Sequence, residues 1–274
     1  MLADIWKDES GVSEAIGFIL VFMIVILGIS IVTLYGYPVL ADARISSDEK
    51  IMEQNMIVLQ SDIKILTRNN VPYRDTTMGV SGGSIFVTNS TEAENKGGGY
   101  FNITFFNKST GGPESRIYYP GSLEFVSDEG TAVISVTNGA VVKRQLDQNG
   151  SVMVSDPRWF YDETNGKKTL VIFMTTLKST RQMTLGGIET IQMRMLDAPQ
   201  VEDQDYTKGG GIAQNVKIEY YYGLNDKYSR AWENYLTGPY IVQNGFLRAS
   251  FENSDIYWLS VDRLIIKEYI IEIL

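Results

Sequence analysis

The chain has 274 residues and a formal charge of −9, with 33 acidic against 24 basic residues and no cysteine or histidine. The missing cysteine excludes a disulfide framework, thiolate metal sites and a cysteine nucleophile, and the missing histidine excludes serine–histidine triads and histidine zinc sites. No concentrated basic block is present, which argues against a nucleic-acid partner; only carboxylate hydrolysis or an oxygen-liganded calcium site stays open to chemistry, so the composition points away from an enzyme and implies no cofactor or metal.

The N-terminal segment MLADIWKDESGVSE is net acidic, with Lys7 as its one basic residue. Ala15 to Tyr35 follows as an uninterrupted apolar run, AIGFILVFMIVILGISIVTLY. At 1.5 Å per residue it is long enough to cross a hydrocarbon core of about 30 Å. A secretory signal peptide would carry positive charge before a run of only about 7–15 apolar residues. A retained membrane helix is therefore predicted. The plainest form of it is a simple signal anchor.

The boundary residues carry a sharper reading. Gly11-Val12-Ser13-Glu14-Ala15-Ile16-Gly17, followed at once by Phe18-Ile19-Leu20-Val21, resembles the start of archaeal type IV pilins and archaellin-like surface proteins. The resemblance covers some thirty residues of the anchor and implies a prepilin-peptidase-like enzyme cutting on the cytoplasmic side of the apolar run. Here the cut falls between Gly11 and Val12, removing a leader of residues 1–11. Glu14 then stands just inside the new N-terminus, where its carboxylate would neutralise an amine in a low-dielectric bundle and suit the first turn of a helix. The family usually has a basic residue where this chain has Ser10, and often proline where it has Glu14. The resemblance further implies that Ile16, Ile19, Phe22, Met23 and Ile26 pack against membrane lipid or against copies of this chain or related subunits.

Gly36-Tyr37-Pro38 predicts a kink or short break, because proline lacks an N–H and clashes with the preceding turn. Tyr35 and Tyr37 suit a membrane interface. The helix pattern then resumes over residues 42–67, so the long helix is expected over residues 12–68. Ile45, Met52, Leu59 and Leu66 recur every seven residues with Met56 and Ile63 between them, forming one apolar stripe. Asp48, Gln54, Gln60 and Asp62 are expected on the wetter side. The stripe packs either on the chain's own head domain or, as a coiled coil, on copies of itself. The few flanking basic residues, Lys7 before the span and Arg44 and Lys50 after it, do not set an orientation. The large polar domain, its glycosylation sequons and the pilin resemblance place the head outside the cell.

Asn69-Asn70-Val71-Pro72 ends the helix, and residues 69–274 read as an antiparallel β-rich, sandwich-like head, making the chain α+β. Strands are expected at Ser84–Thr88, Tyr100–Asn107, Ser122–Val126, Ala132–Thr137, Ala140–Leu146, Ser151–Val154, Thr169–Thr176, Gly186–Met195, Ile212–Tyr222, Gly245–Phe251 and Leu264–Ile273. Asn138-Gly139 is a two-residue hairpin turn, and Ser229–Leu236 a short helix that Asn225-Asp226 would help start. The apolar terminal run should be a buried strand.

Four N-x-S/T sequons, at Asn89, Asn102, Asn107 and Asn149, are possible glycosylation sites, and Asn89 and Asn107 sit in or beside turns. Asp197 to Asp205 reads as a solvated acidic turn without the EF-hand pattern. Trp159-Phe160-Tyr161 and Tyr220-Tyr221-Tyr222 read as aromatic packing across a sheet, with a ligand platform as the alternative. The expectation is a structural, pilin-like subunit of an archaeal cell-surface filament or pseudopilus, held at the membrane by its helix. The alternative is a single-span adhesin or ligand-binding surface protein.

Overall fold

The computed structural model of the protein describes residues 9–69, 71–95, 97–146, 150–179, 184–207, 214–222, 228–238, 247–251 and 254–274. Its contacts divide the chain into two units that meet between Asp48 and Glu49.

The N-terminal unit is helical. Helix α1, Glu9–Ile31, passes through one π-helical turn, Val32–Gly36, into helix α2, Tyr37–Asn69. No break occurs at Pro38; helical hydrogen bonding runs on through it, with one π-helical turn just before. The physical reason lies one turn earlier, where the backbone N–H of Tyr37 donates to the carbonyl of Val32, five residues back. That widened turn changes the hydrogen-bond ladder just where proline would interrupt it. Arg44 and Asp48 pair at 3.7 Å across one turn.

The second unit contains the outer turns of α2 and the β-rich head. Among the described residues the head has fifteen strands and two short helices. A ten-stranded sheet begins with β7 (Ser151–Ser155), β6 (Ala140–Gln145), β5 (Ala132–Thr137), β4 (Ser122–Ser127) and β1 (Tyr73–Thr88). It continues through β10 (Thr184–Met195), β15 (Arg263–Ile273), β9 (Lys167–Ser179) and β8 (Trp159–Thr164), and β11 (Gln200–Asp205) pairs with the outer part of β15. A five-stranded sheet has the order β13 (Leu247–Phe251), β14 (Ser254–Leu259), β12 (Val216–Tyr221), β2 (Tyr100–Asn107) and β3 (Gly112–Tyr118). The pairings are antiparallel except β9 with β15, which run parallel from Thr169↔Arg263 to Ser179↔Ile273. The architecture is thus α+β, with a long apolar helix and an antiparallel-rich β head.

The two faces of the large sheet have different covers. On one face Met52, Met56, Leu59, Ile63 and Leu66 of α2 pack with Ile85, Leu123, Phe125, Ile134, Ile191 and Ile271 of the sheet. Each fully buried apolar side chain contributes about 1.5–3 kcal/mol, so this stripe is a principal tie between helix and sheet. The other face packs on the small sheet and on α4 (Ser229–Leu236) through Phe101, Ile103, Trp159, Ile172, Ile218 and Trp232. Strand β6 shows the alternation directly: Ala140 and Val142 face one core and Val141 the other. The terminal strand β15 is interior, with Leu264 and Ile266 on one side and Ile271 and Ile273 on the other.

Several expectations need correction. Gln60 and Asp62 are not on a wet face; both are buried. Gln60 Nε2 donates to the carbonyls of Gly139 at 2.6 Å and Asp156 at 3.0 Å, and its Oε1 accepts from Ser155 Oγ at 2.6 Å. Asp62 accepts from Arg74 Nε and Thr76 Oγ1, each at 2.6 Å. The acidic stretch near Asp197–Asp205 is a strand from Gln200 on. There Glu202 pairs with Arg116 at 2.6 Å and Asp203 with Arg263 at 2.6 Å. Strands β3, β8 and β14 and the helix α3 (Ser90–Asn95) were not expected, and β1 begins eleven residues earlier than Ser84. The Asn138-Gly139 hairpin is present, with φ of 45° and 68° as a type I′ turn requires. Helix α4 is also as expected, although Tyr228 is its N-cap residue and Asn225 and Asp226 lie outside the described residues.

Candidate functional site

The N-terminal unit presents one chemical feature, an apolar cylinder. Ile16, Ile19, Phe22, Met23 and Ile26, which share one side of α1 at helical spacing, are all between 46% and 60% exposed. Apolar residues occupy every direction around the axis, so there is no polar face to turn toward water. Among the described residues this is the one helix long and apolar enough to cross a membrane. Ser30, its lone hydroxyl in the last turns of α1, donates back to the Ile26 carbonyl at 2.7 Å and leaves no free donor. Among the described residues nothing outside the adjoining helix backbone comes within 4 Å of where a Cβ would stand at Gly17 and Gly28. Gly11 and Val12 lie in the first turn of α1, and Glu14 is exposed on the next.

Of the stripe beyond the membrane run, Ile45 is half-buried, and Met52, Met56, Leu59, Ile63 and Leu66 are spent on the chain's own sheet. Those five residues are therefore occupied by intramolecular packing and do not form a free coiled-coil seam. The sequons are distributed differently. Asn89 caps α3, its Oδ1 accepting from the Thr91 N–H at 3.1 Å and its Nδ2 donating to the Ser179 carbonyl at 2.8 Å. Asn102 lies on β2, accepting from Ser115 Oγ at 2.7 Å. Asn107 is buried at the end of β2; its Oδ1 accepts from the Ser109 N–H at 2.8 Å and its Nδ2 donates to Glu114 at 2.5 Å. Asn149 lies outside the described residues.

The aromatic triplets resolve as packing. Trp159 meets Phe101 edge-on at 5.5 Å and donates its indole N–H to the Phe173 carbonyl at 3.1 Å. Tyr220 stacks on Phe101 at 4.8 Å and Tyr221 on Tyr100 at 4.7 Å. Beside this cluster sits a cavity of about 260 Å³, walled by Phe101, Tyr220, Tyr228 and Trp232 with Glu124 and Arg144 as its charged groups. Gly121 forms part of its rim with φ +66°; a Cβ there would come within 2.8 Å of the Thr88 carbonyl and 2.9 Å of the Leu177 carbonyl. Burial pushes the Tyr228 hydroxyl well above the ordinary tyrosine range, and the Glu124 carboxylate adds to the shift. The arrangement suits retention of a neutral phenol beside a guanidinium. Glu124 is the one carboxylate among the described lining residues. The sequence reading missed this cavity, since its lining comes from segments between Thr88 and Trp232 with no local motif linking them.

No curated protein matches the chain. A family profile matches residues 11–245, a span that takes in the apolar helix together with most of the β-rich head. The chain belongs to that family, described as a family of unknown function (DUF7289).

Proposed function

We propose that the protein is a structural, pilin-like subunit of a cell-surface filament or pseudopilus, assembled through its N-terminal helix. The observation that carries this reading is the cylinder of exposed apolar side chains from Ile16 to Leu34, on which Phe18, Val32 and Leu34 are 66–72% exposed. Such a surface needs lipid or sister helices around it, because its exposure to water costs about 25 cal/mol per Å². Membrane lipid holds the precursor; cleavage before Val12 by a prepilin-peptidase-like enzyme frees the amine; the helix then exchanges lipid contacts for contacts with copies of itself. Glu14, exposed near the start of the helix, is placed to meet such an amine. The head lies outside the cell and contributes its outer surface to the filament. No bond is broken by the protein itself, and assembly is its activity.

The test is mass spectrometry of the natural N-terminus, joined to electron microscopy of the cell surface. A mature chain beginning at Val12, found in filaments that the deletion strain lacks, is the expected result. An intact Met1 in membrane fractions without filaments would replace this reading by a single-span anchored surface protein. A chain cut beyond Tyr35 would reject both.

A further inference from the structure

A second opening lies in the head, between the outer turns of α2 and the segment joining β7 to β8. This groove, of about 620 Å³, is walled by Lys64, Arg68, Asp156, Pro157, Arg158 and Phe160. Lys64 and Arg68 stand one helical turn apart on α2 and so share a face. Arg158 lies with its guanidinium 4.1 Å from the centre of the Phe173 ring, and Lys267 Nζ is 5.7 Å from the same ring. Three cations therefore line one groove of a protein whose net charge is −9, with a fourth close behind.

Among the described residues these three cations make no close ion pair. Elsewhere in the head Arg74, Arg116, Lys143, Arg194 and Arg263 each pair with a carboxylate. Among the described residues none of Lys64, Arg68 and Arg158 lies within 4.0 Å of one. Lys64 Nζ donates to the Asp156 backbone carbonyl at 3.1 Å. Arg158 Nη1 is buried without a hydrogen-bond partner. Asp156 is the single carboxylate among the described lining residues, against three cations, so this lining is net positive. Burial lowers the affinity of Lys64 and Arg158 for their protons; at Lys64 the Asp156 carboxylate opposes this and the Arg158 charge adds to it, and at Arg158 Tyr269 opposes it and the Arg68 charge adds to it.

We propose that this groove binds the oxyanion of a phosphate or sulfate ester. The planar guanidinium of Arg158 suits the oxygens of an oxyanion, while Lys64 and Arg68 supply charge. The volume exceeds what a bare oxyanion needs and falls in the range of small-molecule sites. Phe160, 51% exposed, provides an apolar wall for the organic part of the ester. The ester can come from a soluble sugar phosphate or sulfate or from a lipid headgroup, since both present the same oxyanion.

The test uses the full chain in non-ionic detergent, titrated calorimetrically with glucose 6-phosphate, glucose 6-sulfate and, as neutral control, glucose. Saturable binding of the two esters with a dissociation constant below about 1 mM, and none of glucose, is expected. Arg68→Gln and Arg158→Gln should each weaken binding by about tenfold or more. Arg68 is exposed, so its variant reads the site independently of folding. Arg230→Gln, whose guanidinium pairs with Glu233 on α4, should bind as the parent does. Repeating the titration in micelles doped with phosphatidylglycerol or with phosphatidylcholine separates the sources. Binding that survives the anionic lipid identifies a soluble ester, and binding abolished by phosphatidylglycerol alone identifies a headgroup; both keep the proposal. Absence of saturable ester binding up to about 10 mM, or equal binding by the parent, Arg68→Gln and Arg158→Gln chains, would overturn it.

Discussion

Gln60 joins the outer part of α2 to two segments far away in sequence, and its replacement by methionine tests whether that joint stabilises the head. Methionine has nearly the same length and fills the site, so packing changes little and the polar contacts dominate. The substitution removes the donor to the Gly139 carbonyl at 2.6 Å and the acceptor of the Ser155 hydroxyl at 2.6 Å. The Asp156 carbonyl loses Gln60 at 3.0 Å but keeps Lys64 Nζ at 3.1 Å. Two buried or half-buried polar groups are thus left wanting. At about 1–3 kcal/mol for each, less the gain from burying a thioether, the loss is roughly 2–4 kcal/mol. Gln60→Glu has the same shape with the opposite consequence for charge. It turns a carboxylate toward two carbonyl oxygens and should cost more than Gln60→Met at neutral pH. The assay is urea unfolding of the full chain in non-ionic detergent, followed by the fluorescence of Trp159 and Trp232, which lie 5.9 Å apart in the aromatic core. With a urea slope of about 2–3 kcal/mol per M for a head of this size, the Gln60→Met midpoint should fall by about 1–2 M. Variants that both unfold within about 0.2 M of the parent would refute the view that the Gln60 bonds hold helix to hairpin.

Three further outcomes are expected. Ile24→Asp places a carboxylate in the middle of the apolar helix, where Ile24 is 59% exposed; on insertion scales this costs about 3–4 kcal/mol, so the variant should leave membrane fractions and form no filaments, and normal fractionation would count against the membrane role of α1. Gly121→Ala forces a Cβ against the Thr88 and Leu177 carbonyls at a φ of +66°, so the head should lose about 1–3 kcal/mol in the same urea assay. Raising the pH should unfold the head from about pH 10 upward. Burial pushes Tyr118 and Tyr206 up to about 12 and shifts Tyr228 and Tyr235 the same way. The folded chain then keeps phenolic protons that the unfolded chain releases near 10, and stability falls as pH rises through that window. A tyrosinate absorbance titration checks this: part of the absorbance should appear only with the loss of the folded circular dichroism, and a smooth titration of all tyrosines before unfolding would contradict it.

The apolar run from Ala15 to Tyr35, the stripe through Met52, Leu59 and Leu66, the Asn138-Gly139 hairpin and the strand at Tyr100–Asn107 were legible without coordinates. Each is a local pattern, in which side-chain period or turn stereochemistry alone selects the backbone. Three of the four strands that escaped notice share a different trait, β14 inside the small sheet being the exception. β3 and β8 are sheet edges and β11 is a side branch on β15. Strands so placed keep polar residues such as Glu114, Arg116, Glu163 and Asp203 and lack apolar alternation. β11 holds its place partly through ion pairs with Arg116 and Arg263, residues 86 and 60 positions away from their partners. The same separation hid the wet-looking Gln60, which is bonded to a hairpin 79 residues on, and the groove where Lys64 and Arg68 meet Arg158. Tertiary packing made these contacts, because burial, charge convergence and cavity shape depend on segments that the chain brings together only after its local elements have formed.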